Sequence, residues 1–137
     1  MCTSFKKELM TGTHNFTAAS DQFKMALYTN SASFTAATTA YTSSNEVTGT
    51  NYTAKGNFLT SVNPTTSGTT ALTSFANETF SNVTISSVRG GLIYNEAATG
   101  DPSEDVLDFR ADKGASSGDF TIGFPTADAS NAIIRIA

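Results

Sequence analysis

Phe80-Ser-Asn-Val-Thr-Ile-Ser-Ser-Val-Arg-Gly-Gly-Leu-Ile-Tyr-Asn95 is the stretch whose reading decides the fold. Val83 and Ile85 alternate with Asn82, Thr84 and Ser86, the period-two pattern of a half-buried strand. Val88, Leu92 and Tyr94 then fall on the opposite phase. A strand changes face only through a break, so the Gly90-Gly91 pair is expected to carry a bulge or a sharp bend. This stretch reads as the centre of an all-β domain.

The C-terminal part repeats the pattern. Phe120, Ile122 and Phe124 alternate with Thr121 and Gly123 until Pro125, and Ala132, Ile134 and Ile136 alternate with Ile133 and Arg135. Upstream, Phe23, Met25 and Leu27 predict one face of a strand, with Lys24, Ala26 and Tyr28 on the other. Tyr52, Ala54, Gly56 and Phe58 alternate again, Asn63-Pro64 and Ser67-Gly68 bracket a turn, and residues 70–75 form a further short strand. Residues 106–110 predict another strand, turned by Asp112-Lys113-Gly114. Seven or eight short strands predict an antiparallel β-sandwich, immunoglobulin-like or jelly-roll-like with Greek-key connections.

At the other end, residues 4–10 predict a short helix with Ser4 as N-cap, Phe5 and Leu9 as an apolar i,i+4 pair, and Gly12 as terminator. An extended arm docking on a neighbouring molecule is the alternative. The domain reading is therefore an N-terminal arm or short helix over 1–20 and one β-sandwich over 21–137. Residues 29–50 lose periodicity, and so long a loop in a small domain is usually functional or contact-forming.

Length suits one domain with one core. Only 15% of residues are charged, below the roughly 25% of ordinary globular domains. Thr, Ser, Ala, Asn and Gly fill the difference and favour strands, turns and a surface tolerant of contact with other protein. A net charge of −4, with scattered basic residues, argues against a nucleic-acid partner. No apolar run approaches the roughly 20 residues of a membrane-spanning helix. The first ten residues lack the apolar core of a signal peptide, so synthesis in the cytoplasm is expected.

No catalytic set stands out. His14, the single histidine, would have to serve any Ser-His-Asp triad, and it reads instead as an exposed or capping residue. Cys2, the only cysteine, reads as an exposed or loosely packed thiol. The two cannot complete a zinc site. Asp101, Glu104, Asp105, Asp108 and Asp112 form an acidic stretch with no EF-hand spacing, read as a solvated loop, with calcium binding left open. A paired-carboxylate glycosidase is disfavoured by the absence of Trp. Gly90-Gly91 lacks the ending of a phosphate-binding loop. Four Asn-X-Thr triplets, beginning at Asn15, Asn51, Asn77 and Asn82, are what a chain this rich in Asn and Thr produces by chance. No cofactor or metal is expected.

The aromatics Phe16, Phe34, Tyr41 and Tyr52 lie where periodicity is weak. They either fill the ends of the sandwich or form a protein-binding patch. With Phe5 and Leu9 of the arm they are the candidate protein-contact residues.

The chain resembles, over nearly its full length, a family of small virion structural proteins of tailed bacteriophages. The resemblance runs through residues 5–16 (Phe-Lys-Lys-Glu-Leu-Met-Thr-Gly-Thr-His-Asn-Phe), 23–29, 39–41, 45–47, 89–95 (Arg-Gly-Gly-Leu-Ile-Tyr-Asn), 106–109 and 132–136. Arg89-Gly90-Gly91 departs from the Arg-Gly-Ala of that pattern, a matter of packing rather than role. The resemblance implies a structural part of the virion; with the small single domain, the low charge and the missing catalytic set, the leading expectation is a non-enzymatic capsid decoration, or cement, protein. Its partners would be the major capsid protein and further copies of itself, with a trimer as one candidate assembly. A tail or head–tail connector component is the second implication. Outside that class stands a carbohydrate- or receptor-binding sandwich module.

Overall fold

The computed structural model describes residues 1–137, in the order α1 (Thr3–Met10), β1 (Phe23–Thr29), β2 (Asn57–Phe58), β3 (Ser61–Ser67), β4 (Thr70–Phe75), β5 (Glu78–Asn95), β6 (Ser103–Ile122) and β7 (Ile134–Ile136). The strands form two antiparallel sheets, β2-β1-β5-β6 and β3-β4-β7, in a sandwich-like all-β fold. Ala76 and Asn77 carry the chain from the small sheet into the large one, and residues 123–133 carry it back.

β5 is the strand expected from its alternation, and it breaks beside the glycines and at further places as well. Its registry with β6 shifts between Phe80 and Val83 and again between Ile85 and Val88. Asn82 (φ 51°) and Ser87 (φ 57°) sit in the left-handed region at those shifts. Each irregularity adds a residue, so the inward spacing runs Phe80, Val83, Ile85, Val88, and all four are buried. The irregularity at Ser87 keeps Val88 on the core face with Val83 and Ile85, and the change of face comes at the glycines as expected: the register with both β6 and β1 shifts between Val88 and Gly90, so that Ile93 continues the main core while Leu92 and Tyr94 turn to the other face. The two glycines answer a further need. A Cβ on Gly90 would stand 2.3 Å from the Leu107 carbonyl oxygen, and one on Gly91 3.3 Å from the Met25 sulfur. They let neighbouring strands close up.

β6 also differs from expectation. It runs unbroken from Ser103 to Ile122, so Asp112-Lys113-Gly114 is strand rather than turn. Left-handed residues Arg110 (φ 64°) and Ser117 (φ 47°) take up the length mismatch with β5. The alternation over 52–58 yields strand only at Asn57–Phe58. Asn63-Pro64 lies inside β3, at its own register shift, and the turn is made at Gly68 (φ 59°).

The main core joins Phe23, Met25 and Leu27 of β1 with Val83, Ile85, Val88 and Ile93 of β5, Phe120 and Ile122 of β6, and Phe75 and Ile134 of the small sheet. Residues 1–20 are part of it. Phe5 and Phe16 are buried, Leu9 packs against the same cluster, and Phe16 stacks on Phe23 with centroids 4.4 Å apart. Burying two such rings is worth about 4 kcal/mol before the entropy of ordering the segment. The N-cap stands two residues earlier than expected: Cys2 holds that position without a side-chain bond, and Ser4 lies within the first turn.

The opposite face of β1 and β5 is also covered. Ala26, Tyr28, Leu92 and Tyr94 form a second, smaller cluster under Ala32, Phe34, Tyr41 and Val106. Within residues 30–56, Ala32, Phe34 and Tyr41 cover this cluster, whereas Val47 is buried in the main core and Tyr52 packs against it; the segment has only isolated bridges, Tyr28–Glu46, Ala40–Pro102 and Thr50–Thr84.

Candidate interaction surface

Sequence alone gave six contact candidates, and the structure separates them. Phe5 and Phe16 are core residues, a correction that follows from their position between α1 and the large sheet. Leu9 seals the helix onto that core. Phe34, Tyr41 and Tyr52 gather instead in the long loop, each half-buried against an aromatic of the sheet or core. Phe34 meets Tyr28 edge-on at 4.6 Å, Tyr41 lies 5.0 Å from Tyr94, and Tyr52 stacks on Phe80 at 5.7 Å. These three both fill and anchor.

The loop is held by a polar node that sequence reasoning missed. Tyr41 Oη donates to Glu46 Oε2 at 2.6 Å, while Tyr52 Oη and the Lys55 backbone N–H donate to Glu46 Oε1 at 2.8 and 2.7 Å. Tyr52 Oη also accepts from the Leu27 N–H at 2.9 Å, which ties the node to β1. Tyr28 donates to the Thr42 carbonyl at 2.6 Å and Tyr94 to the Lys55 carbonyl at 2.8 Å. Every tyrosine of the chain thus binds this loop or is part of it.

Burial pushes all four phenols well above the ordinary tyrosine range, with the Glu46 carboxylate adding to the rise at Tyr28, Tyr41 and Tyr52. At Tyr94, burial is followed by the charges of Glu96 and Asp101. All therefore remain hydroxyl donors at neutral pH. Around the rim, Lys55 Nζ meets Asp101 at 3.0 Å and Glu96 at 3.5 Å, and Lys24 meets Glu96 at 3.2 Å. The hydrogen bond to Asp101 is the chief reason the Lys55 ammonium is held above its usual range. Lys55 also lies 5.6 Å over the Tyr41 ring.

Beside Phe34, a cavity of about 330 Å³ is lined by Tyr28, Ala32, Phe34, Val106 and Leu107, with Arg89 and Asp108 at its rim. Arg89 Nε bonds Asp108 at 3.0 Å, so the rim is charge-paired. The exposed surface around it belongs to loop residues 35–37 and 43–45, small and polar or alanine.

The remaining sequence candidates fall elsewhere. The acidic stretch is mostly strand, and its carboxylates diverge. Asp101 goes to Lys55, Asp105 to the Met1 amino group, Asp108 and Asp112 to Arg89, and Glu104 is sealed inside without a partner. No set of three His, Cys, Asp or Glu converges as a metal site. His14 is neither exposed nor a cap: its ring is buried, with Nε2 donating to Glu8 Oε2 at 2.9 Å and Nδ1 accepting from Asn95 Nδ2 at 3.2 Å. Asn95 also donates to Asp21 at 2.7 Å, which fixes that tautomer. Cys2 is buried as well, and burial raises its thiol above the ordinary range.

Comparison with family models, with curated proteins and with solved structures finds no match for this chain.

Proposed function

We propose that this chain is a phage virion structural protein, a capsid decoration protein that binds the assembled head shell through the surface of residues 30–56. The observation that carries the reading is the preorganised loop. Its polar node fixes residues 41–55 against the sheet before any partner arrives, which lowers the ordering entropy that binding would otherwise have to overcome. The low charge of the chain and the full-length resemblance to small virion proteins point the same way.

The mechanism is mass action. A protein that binds the closed shell and not its free subunits stabilises the shell in proportion to its occupancy. Standard interfaces of roughly 1,600 Å², repeated by the symmetry of the shell, would clamp neighbouring capsomers together. The loop presents an exposed edge at 35–37 and 43–45, with the Phe34 recess beside it.

Quantitative mass spectrometry of purified virions tests the reading by counting this chain against the major shell protein. A ratio near that of the shell protein is expected. A handful of copies per particle would place it in the tail or connector instead, and its absence would overturn a virion role.

A further inference from the structure

We infer that α1 is a releasable latch: ionisation of the Glu104 carboxylate, sealed without a hydrogen-bond partner on the strand residue whose carbonyl holds the head of the helix, expels the helix from the body of the sandwich. This inference stands apart from the shell-binding reading.

Glu104 is fully buried, and neither carboxylate oxygen has a partner. A buried charge so placed lacks both water and a counter-charge within bonding reach, so the side chain is held neutral. Burial raises its proton affinity first, and the neighbouring Asp105 raises it further, with the Met1 amino group opposing. The other groups around it add little charge. From α1 come the buried Cys2 thiol, Lys6 and Lys7 in the solvent, and Glu8 committed to His14. The covering segment 35–40 has no titratable side chain. β5 presents Ile93 and Tyr94 opposite, and the Tyr94 hydroxyl is spent on Lys55.

When Glu104 ionises, either the strand or its cover must give. β6 is held here by pairing of Asp105 with Ile93 and Ser103 with Tyr94. The helix has only eight residues, too few to be stable alone. Its N-terminal attachment is two backbone bonds, Cys2 N–H to the Glu104 carbonyl and Thr3 N–H to the Ala36 carbonyl, each 2.7 Å, and the ion pair of the Met1 amino group with Asp105. Ser4 Oγ, in the same first turn, is buried without a partner too. Release also exposes Phe5 and breaks the Glu8–His14 contact, but the pairing of β6 along β5 is far more extensive, so the helix is the side that gives.

The direction with pH follows from proton counting. The closed form keeps the Glu104 proton, and the open form releases it near the ordinary glutamate value. The closed-to-open ratio is therefore highest at low pH and falls by up to tenfold per pH unit above about pH 4.3. The fall ends at the raised value of the closed form.

Cys2, buried at the head of the helix and the only cysteine, reports opening directly. Its labelling by a pyridyl disulfide is measured from about pH 5 to pH 8 and divided by the rate for the denatured chain, which cancels thiol ionisation. Circular dichroism at each pH monitors the sandwich. Cys2 protection is expected to fall at least tenfold across this range in the native chain, with the strand signal intact. It should stay level in Glu104→Met, or in Glu104→Gln should the methionine variant not fold. Parallel profiles in native and variant chains would overturn the inference, as would Cys2 labelling that appears only with loss of the strand signal.

Discussion

The two faces of the β1–β5 pair are covered by opposite means. On one, α1 and the small sheet bring Phe5, Phe16 and Phe75 onto Phe23, with ring centroids from 4.4 to 6.3 Å apart among Phe16, Phe23 and Phe75. On the other, the first part of a long loop covers a four-residue cluster, and the loop is moored by tyrosine hydroxyls and one carboxylate. Apolar cover is non-directional and tolerates small shifts, whereas the polar cover works only where donors and acceptors meet. The first face should therefore set global stability, and the second the shape of the loop.

The largest effect is expected on the apolar face. Phe23→Ala removes a fully buried ring that touches His14, Phe16 and Phe75, and should cost about 4 kcal/mol in urea unfolding. A loss below 1 kcal/mol would mean that this face is not the stabilising one.

Glu46→Ala comes next. It leaves the Tyr41 and Tyr52 hydroxyls and the Lys55 N–H without their acceptor, and should cost about 3 kcal/mol. The location of the damage is the sharper test. Amide exchange should quicken over 41–55 while α1 keeps its protection. Equal loosening of both faces would erase the distinction between them.

That distinction also marks what was legible in the sequence. Apolar alternation displayed β1, the two arms of β5 and the Phe120–Ile122 end of β6, because burial on a pleated surface leaves a period of two. It could not show that Phe5 and Phe16 reach the same core, since they lie in a helix and a loop outside the alternating strands, and no period of two marks their burial. The bulges were half legible. The change of face beside Gly90-Gly91 was visible, but the added bulges at Asn82 and Ser87, which adopt the left-handed conformation, were not. The polar node was not legible at all. Glu46 is one acid among many, and no spacing rule links it to Tyr41, Tyr52 and Lys55. A weak signal existed in the tyrosines, three of which fall within or beside a loop rich in Thr and Ser. His14 misled for the same reason: its partners Glu8 and Asn95 come from two different elements.

Alkaline titration separates the faces by chemistry. All four tyrosines hold their protons above the ordinary range when folded, so the unfolded chain binds fewer protons once pH exceeds about 10. Stability contributed by these groups is complete below that value and is lost as pH rises beyond it. Phenolate absorbance should therefore stay flat through pH 10 and then rise together with loss of the strand signal. A phenol titrating normally in the folded chain would identify a tyrosine that does not moor the loop.

The smallest effect is expected outside both faces, at Arg89. This half-exposed side chain pairs with Asp108 at 3.0 Å and reaches Asp112 at 3.9 Å, contacts that water and salt screen. Arg89→Ala should leave the unfolding midpoint within experimental scatter. The Asp108 carboxyl, held below its ordinary range, should nevertheless stay low, because its first cause is the Arg110 backbone N–H at 2.7 Å and the Arg89 guanidinium comes second. That N–H is aimed by the left-handed bulge at Arg110. Arg110→Gly keeps both the N–H and the conformation while removing the steric strain of a side chain there, and should hold or slightly raise stability. An Asp108 that returns to the ordinary carboxylate value in Arg89→Ala, followed by NMR, would show the ion pair rather than the bulge in control. The rim of the Phe34 recess would then owe its shape to a salt-sensitive contact, and the loop face would be less preorganised than its tyrosine moorings imply.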